Sequence, residues 1–74
     1  MMKDFTAVDA AIVKAIQDGN QRFGDLFTDA VFKATTPLIA RVADRDRLVD
    51  RRLQALRKRG VITYHGKRWW NGRA

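Results

Sequence analysis

The stretch DRDRLVDRRLQALRKRG, residues 44–60, has the pattern of one amphipathic helix, and the interpretation of the whole chain starts from it. Its apolar residues Val49, Leu53 and Leu56 recur at helical spacing, so they form one buried stripe. An aspartate in the first turn suits the N-cap, basic residues fill the last turn, and the final glycine is a helix stop. We predict a helix over 45–59.

The face opposite that stripe consists almost entirely of hydrogen-bond donors. At about 100° per residue it holds Arg47, Arg51, Gln54 and Lys58. One interpretation is an ordinary solvated face, but such faces mix charge signs, whereas this one is wholly positive after Asp50. The other interpretation is contact with nucleic acid, since arginine pairs with guanine edges and glutamine with adenine. We favour the second interpretation.

After this helix the pattern changes from helical to extended. Two segments rich in β-branched and aromatic residues are separated only by His65 and Gly66, which predicts a hairpin with a two-residue turn. In the predicted register Ile62 lies opposite Trp69, and this pair packs against the helices while the other face stays outside. The predicted strands are residues 61–64 and 67–70.

The N-terminal half predicts further helices, because its apolar residues recur three or four positions apart. Thr36 and Pro37 suit the N-cap and the first position of the last of these helices. No repeat or flexible linker divides the chain, so we expect one domain over 1–74 that is mostly α with a small β-hairpin. It has three or four helices, over about 7–18, 22–33, 37–43 and 45–59, and a tail over 71–74.

The positive charge belongs to one half of the chain. The formal net charge is +7, and ten of the fifteen basic residues are arginine, whose planar fork matches phosphate oxygens and guanine edges. Residues 1–40 carry four basic and five acidic residues, whereas residues 41–74 carry eleven basic and three acidic ones. A domain with this asymmetry attracts polyanions to its basic side.

Composition also excludes several classes of function. The chain contains no serine, cysteine or glutamate and a single histidine, so it has no Ser or Cys nucleophile and no multi-histidine metal site. We therefore expect no enzyme, no metal and no cofactor. No apolar run approaches the roughly 20 residues of a membrane span, and residues 1–6 lack the features of a signal peptide. We expect a cytoplasmic protein that does not bind a membrane.

The order of elements resembles that of winged helix-turn-helix domains. The resemblance rests on Ile39-Ala40 as the support helix, on the spacing Val49-x3-Leu53-x2-Leu56-x3-Gly60-Val61-Ile62, and on the hairpin that follows, and it covers roughly residues 7–70. The small size is also similar to that of the compact regulators of phages and prophages. In that family the basic helix reads the DNA major groove, and the hairpin, called the wing, touches the neighbouring backbone or minor groove.

The resemblance implies a role for each basic residue. Base contacts would come from Arg45, Arg47, Arg51 and Gln54, and phosphate contacts from Lys58, His65, Lys67 and Arg68. The predicted function is sequence-specific binding of double-stranded DNA by a small transcriptional regulator. One such domain covers about one half-site, so the prediction includes a homodimer as a route to specificity.

Two alternatives stay open. The same scaffold would serve as a protein-interaction module whose arginine face meets an acidic partner, with exposed Phe32 or Trp70 as the anchor. A protein that binds RNA or single strands would instead use Trp70 and Tyr64 to stack on bases.

Overall fold

The computed structural model describes residues 4–72, so the last two residues of the predicted tail over 71–74 lie outside the described residues. Three α-helices are followed by a two-stranded antiparallel hairpin at the C-terminal end. The predicted fold class, mostly α with a small β-hairpin, is confirmed. The elements are α1 (Thr6–Gln17), α2 (Asp29–Thr35), α3 (Asp44–Lys58), β1 (Ile62–His65) and β2 (Arg68–Asn71).

Helix α1 lies within one residue of its predicted range of 7–18. It begins where the Asp4 carboxylate accepts a hydrogen bond of 2.9 Å from the backbone N–H of Thr6. That bond satisfies one free N–H group of the first turn, and hydrogen bonding from the Thr6 hydroxyl, together with this N–H, lowers the pKa of Asp4. The apolar stripe of α1 is buried and supplies much of the core, with Val8, Ala11, Ile12, Ala15 and Ile16.

Helix α3 also agrees with its prediction, since it spans Asp44–Lys58 against a predicted 45–59. Val49, Leu53 and Leu56 are buried as expected, and the helix packs against α1 and β1. Gly60 has φ +77°, a conformation that side chains with a Cβ adopt at a cost, so glycine suits the stop after the helix.

The single helix predicted over 22–33 is wrong, because the chain breaks it into two pieces. A 3-10 turn spans Phe23–Leu26, and α2 starts only at Asp29. Thr28 has an extended backbone between them, and its hydroxyl accepts a hydrogen bond of 3.3 Å from the N–H of Val31. This cap makes Thr28 a helix start. The apolar spacing continues across the break, which is why periodicity alone did not reveal it.

The helix predicted over 37–43 is also wrong. Residues Thr36–Leu38 form a 3-10 turn directly after α2, and Ile39 is extended. The Thr36 hydroxyl donates a 2.8 Å hydrogen bond back to the carbonyl of Phe32, so Thr36 continues α2 and does not cap a new helix. Val42, which falls within the predicted range, is 79% exposed. The segment between α2 and α3 is therefore a connecting loop.

The hairpin is present, but its turn lies one residue later than predicted, so each residue of β1 pairs with a partner two positions further along the chain. Ile62 pairs with Asn71 and Tyr64 with Trp69, and the turn consists of Gly66 and Lys67, with φ 60° and 64°. The reason lies at the end of α3, where the N–H of Val61 donates 3.0 Å to the carbonyl of Leu56 in a Schellman-type cap. Because Val61 belongs to the helix cap, the strand begins one residue later, at Ile62.

The face that packs against the helices is nevertheless the predicted one. Ile62 and Trp69 are both buried, at 1% and 5% exposure, although they are not directly opposite each other. The N–H of Trp69 donates 2.8 Å to the carbonyl of Gln21, and the side-chain amide of Asn71 donates 3.1 Å to the carbonyl of Val13. These two bonds hold β2 against α1 and the loop after it, so the hairpin has a fixed place in the fold.

Candidate nucleic-acid interface

Four predicted contact residues lie together on the outer face of α3. Arg47, Arg51, Gln54 and Lys58 are all exposed, and they lie opposite the buried stripe of the same helix. We call these four residues the basic stripe. It runs along a helix of 15 residues, or about 22 Å, so the core holds its backbone while the side chains reach solvent.

The two aspartates beside the basic stripe leave its arginines free of ion pairs. Asp46 and Asp50 are exposed on α3, the helix that carries Arg47 and Arg51. Among residues 4–72, however, the ion pairs are Lys14–Asp18 and Asp9–Arg52, so neither aspartate lies within 4 Å of those arginines. The guanidinium groups of Arg47 and Arg51 are therefore available to an external acceptor.

The prediction that Arg45 contacts a base is wrong, because its side chain is buried, with 7% of its surface exposed. Its Nε donates 2.9 Å to the hydroxyl of Thr35, and Nη2 donates 3.1 Å to the hydroxyl of Thr36. The Cζ atom lies 3.6 Å from the centroid of the Phe32 ring, a cation–π contact. Arg45 thus joins the start of α3 to the end of α2.

The sequence carried a signal for this role that prediction missed. Position 45 precedes Val49 by four residues and Leu53 by eight, so it continues the buried stripe toward the helix start. An arginine on an apolar stripe needs partners for its donors, and the two threonines at the end of α2 accept from it.

Arg52 is a second structural arginine, and it was not singled out from the sequence. Its Nε and Nη2 donate 2.8 and 2.7 Å to the two carboxylate oxygens of Asp9. This bidentate pair raises the pKa of Arg52, because the hydrogen bonds favour its charged form. The guanidinium also lies 4.6 Å over the Phe5 ring. Arg52 therefore ties α3 to α1, across 43 residues of chain.

A groove of about 440 Å³ runs beside the first half of the basic stripe. Arg47, Arg51 and Arg52 line it with their positive charges, and Asp44 is the acidic residue of its lining. The rest of the lining is largely apolar and includes Phe5, Leu38, Ile39, Ala40 and Leu48. The groove therefore combines cations with apolar surface next to the outer face of α3.

The predicted phosphate-binding residues of the hairpin are all exposed. His65 ends β1 opposite Arg68, and Lys67 occupies the turn between them. Lys67 has φ 64°, a left-handed conformation that costs a residue with a side chain about 1 kcal/mol. Glycine or asparagine would hold this turn at lower cost. In the described part of the chain, no hydrogen bond or ion pair joins these three residues to the basic stripe.

Two further findings bear on the class of protein. Within residues 4–72, no helix has both the length and the apolar character needed to cross a membrane. Comparison with family models, with curated proteins and with solved structures found no significant match for the chain. The resemblance to winged helix-turn-helix domains therefore stays a prediction.

Proposed function

We propose that the protein binds double-stranded DNA sequence-specifically as a small transcriptional regulator, with α3 lying in the major groove. The observation that supports this most is the basic stripe, four exposed side chains with donor groups on one face of a helix whose opposite face is buried. An α-helix with its side chains is about 10–12 Å across, and the major groove is about 12 Å wide. Helix α3 therefore has dimensions that suit this groove.

The side chains divide by chemistry into two roles. Arg47 and Arg51 suit guanine, whose O6 and N7 atoms accept two hydrogen bonds, and Gln54 suits adenine. Lys58 is a point charge near the helix end, and with Lys67 and Arg68 it suits phosphate oxygens. Arg45 is left out of the proposed contacts because its donors are already used by Thr35 and Thr36.

Anisotropy with a labelled mixed-sequence duplex and a matched single strand, at several salt concentrations, tests the proposal. With about four to six phosphate contacts, the logarithm of the binding constant falls against the logarithm of salt with a slope of roughly −4 to −5. Lys14→Ala is a suitable control, because Lys14 lies on α1, outside the basic stripe, and its ammonium group already pairs with Asp18. It should leave the slope unchanged. Absence of duplex binding at low salt would refute the proposal.

A homodimer and a cytoplasmic location belong to the same proposal. One domain with a single basic helix covers about one half-site, so two copies on a palindrome would double the number of base contacts. Sedimentation with a palindromic duplex measures the stoichiometry. Two chains per duplex are expected, and one-to-one binding at saturation would reject the dimer.

A second candidate function is binding of an acidic protein partner. The groove beside α3 favours it, because arginines and apolar residues line one concave surface, and Phe32 and Val42 are exposed nearby in sequence at 50% and 79%. A pull-down whose captured partner survives nuclease treatment would support this function. Recovery of nucleic acid alone would count against it.

A further inference from the structure

The outward face of the hairpin is an exposed surface that the core does not use. The strand register places Thr63 opposite Trp70 and His65 opposite Arg68 on this face, while the inward face buries Trp69. The two adjacent tryptophans thus differ sharply, since Trp69 is 5% exposed and Trp70 is 39% exposed. Trp70 is therefore not needed to fill the core.

The indole of Trp70 is held in one orientation. Its Nε1 donates a 3.0 Å hydrogen bond to the backbone carbonyl of His65, although Trp70 pairs with Thr63 in the strand register. The ring must therefore reach diagonally across the hairpin. Because the indole N–H already has a partner, the ring offers apolar π surface to a ligand. A ring that is ordered beforehand loses little freedom on binding.

The hairpin around this ring is basic, and Asp25, which lines one small pocket with Arg68, forms no ion pair with it. Residues 61–72 contain no acidic residue, and Lys67 and Arg68 are exposed at the turn and in β2. Lys67 places a cation at the tip of the hairpin, in a left-handed backbone conformation that glycine would adopt at lower energetic cost. A fitting ligand would thus combine a flat aromatic ring with a nearby negative charge. Nucleotides have both groups.

We propose that this face is a stacking site for an unpaired nucleobase, with the Trp70 indole as the platform and Lys67 and Arg68 binding the adjoining phosphate. Bases inside a duplex stack on one another, so their flat faces are not accessible to the indole. The ligand is therefore an unpaired base in a DNA or RNA strand. This site goes beyond the proposed reading of duplex DNA by α3. Both sites use Lys67 and Arg68 for phosphate, and Trp70 belongs to the stacking site alone.

Tryptophan fluorescence and anisotropy with eight-nucleotide oligothymidylate and oligouridylate test the site. Either strand should quench the emission of the full chain, and Trp70→Leu should weaken oligonucleotide binding about five- to a hundred-fold. Trp70→Phe keeps a ring and should lose less. Phe32→Leu removes a half-exposed aromatic side chain of α2 that contacts Arg45. With its fold checked by circular dichroism, this variant should stay within about twofold of the wild type. Duplex binding by Trp70→Leu should also change less than about twofold.

Each outcome decides the proposal. Preference for one of the two strands identifies DNA or RNA as the source of the base, and equal binding means that the base and phosphate suffice. Unchanged oligonucleotide affinity in Trp70→Leu would overturn the site, as would loss of oligonucleotide binding in Arg51→Ala alone. Circular dichroism shows whether Trp70→Leu is folded. If Trp70→Leu is not folded, two other results would overturn the site. One is that oligonucleotides do not quench the wild-type fluorescence. The other is that Trp70→Phe loses the quenching but keeps full oligonucleotide affinity.

Discussion

The inner and outer sides of α3 use the same side chain for two different purposes. On the inner side, Arg45 donates hydrogen bonds to the two threonines at the end of α2, and Arg52 donates hydrogen bonds to Asp9 of α1. On the outer side, Arg47 and Arg51 are exposed and form no ion pair with a described carboxylate. Net charge counts all four alike, so it does not show which of these arginines an external partner can contact. The four predictions below separate stability from binding along this division.

The largest effect on stability is expected for Arg45→Ala. The substitution removes two side-chain hydrogen bonds and the cation–π contact with Phe32, so the free energy of unfolding should fall by about 2 kcal/mol. Urea unfolding measures this loss, and Arg51→Ala is the matched control, with a change within about 0.5 kcal/mol. If Arg45→Ala were as stable as the wild type but had lost discrimination between DNA sites, Arg45 would be a base contact after all.

Arg51→Ala should have the opposite effect to Arg45→Ala. The fold should keep its stability, and the protein should discriminate less well between DNA sequences. Loss of a bidentate base contact costs about 1–3 kcal/mol at the preferred site and less elsewhere. Competition anisotropy against a series of single-base variants of the site measures this discrimination. Lys58→Ala, on the same stripe, should weaken all duplexes alike and reduce the salt slope by about one. Equal weakening on every sequence by Arg51→Ala would contradict its proposed role.

Arg52→Lys should destabilise the fold by about 1 kcal/mol, although the charge is kept. Lysine cannot form the bidentate contact with Asp9, and the pair is only partly buried, with both side chains 18% exposed. A double-mutant cycle with Asp9→Asn isolates the pair energy, because the two losses should not add. Strict additivity would mean that the pair of Arg52 and Asp9 contributes nothing to stability.

The smallest effects are expected at Lys67 in the hairpin. Replacing this residue should raise the stability of the fold and weaken the binding of DNA. Lys67→Gly relieves the left-handed backbone and should stabilise the fold by about 0.5–1 kcal/mol, while the lost cation reduces the salt slope of duplex binding by about 0.9. Lys67→Ala keeps the strain and loses the same charge. Thermal unfolding and anisotropy of both variants separate the two effects. A stability gain with an unchanged slope would remove Lys67 from the phosphate contacts.

Sequence reasoning succeeded where local patterns and local caps agree. Helices α1 and α3 each have a long apolar stripe, and a glycine follows each of them at a Schellman-type stop, so their ranges were predictable to within one residue. The region between them was mispredicted because its helical pieces are short and have little stability of their own. There the hydroxyl of Thr28 and the packing of α2 onto α1 decided the boundaries.

The candidate site divides in the same way. The spacing of Arg47, Arg51, Gln54 and Lys58 was enough to place them on one face, and all four are exposed. That spacing did not predict three features: the burial of Arg45, the pairing of Arg52 with Asp9, and the position of the hairpin turn one residue later. Each depends on a contact with a residue elsewhere in the chain. The pairing partners changed by two positions, an even number that leaves each side chain on its predicted face, so Ile62 and Trp69 both still reach the core.

The amino-acid sequence alone determined the two long helices, the hairpin and the concentration of positive charge in the C-terminal half, because these depend on periodicity, capping residues and composition along the chain. Only the tertiary structure decided which arginines of α3 hold the fold and which remain exposed. The physical reason is that a guanidinium forms hydrogen bonds within the fold only where tertiary packing places an acceptor within bonding distance. The acceptors for Arg45 and Arg52 are on α2, on the turn that follows it and on α1.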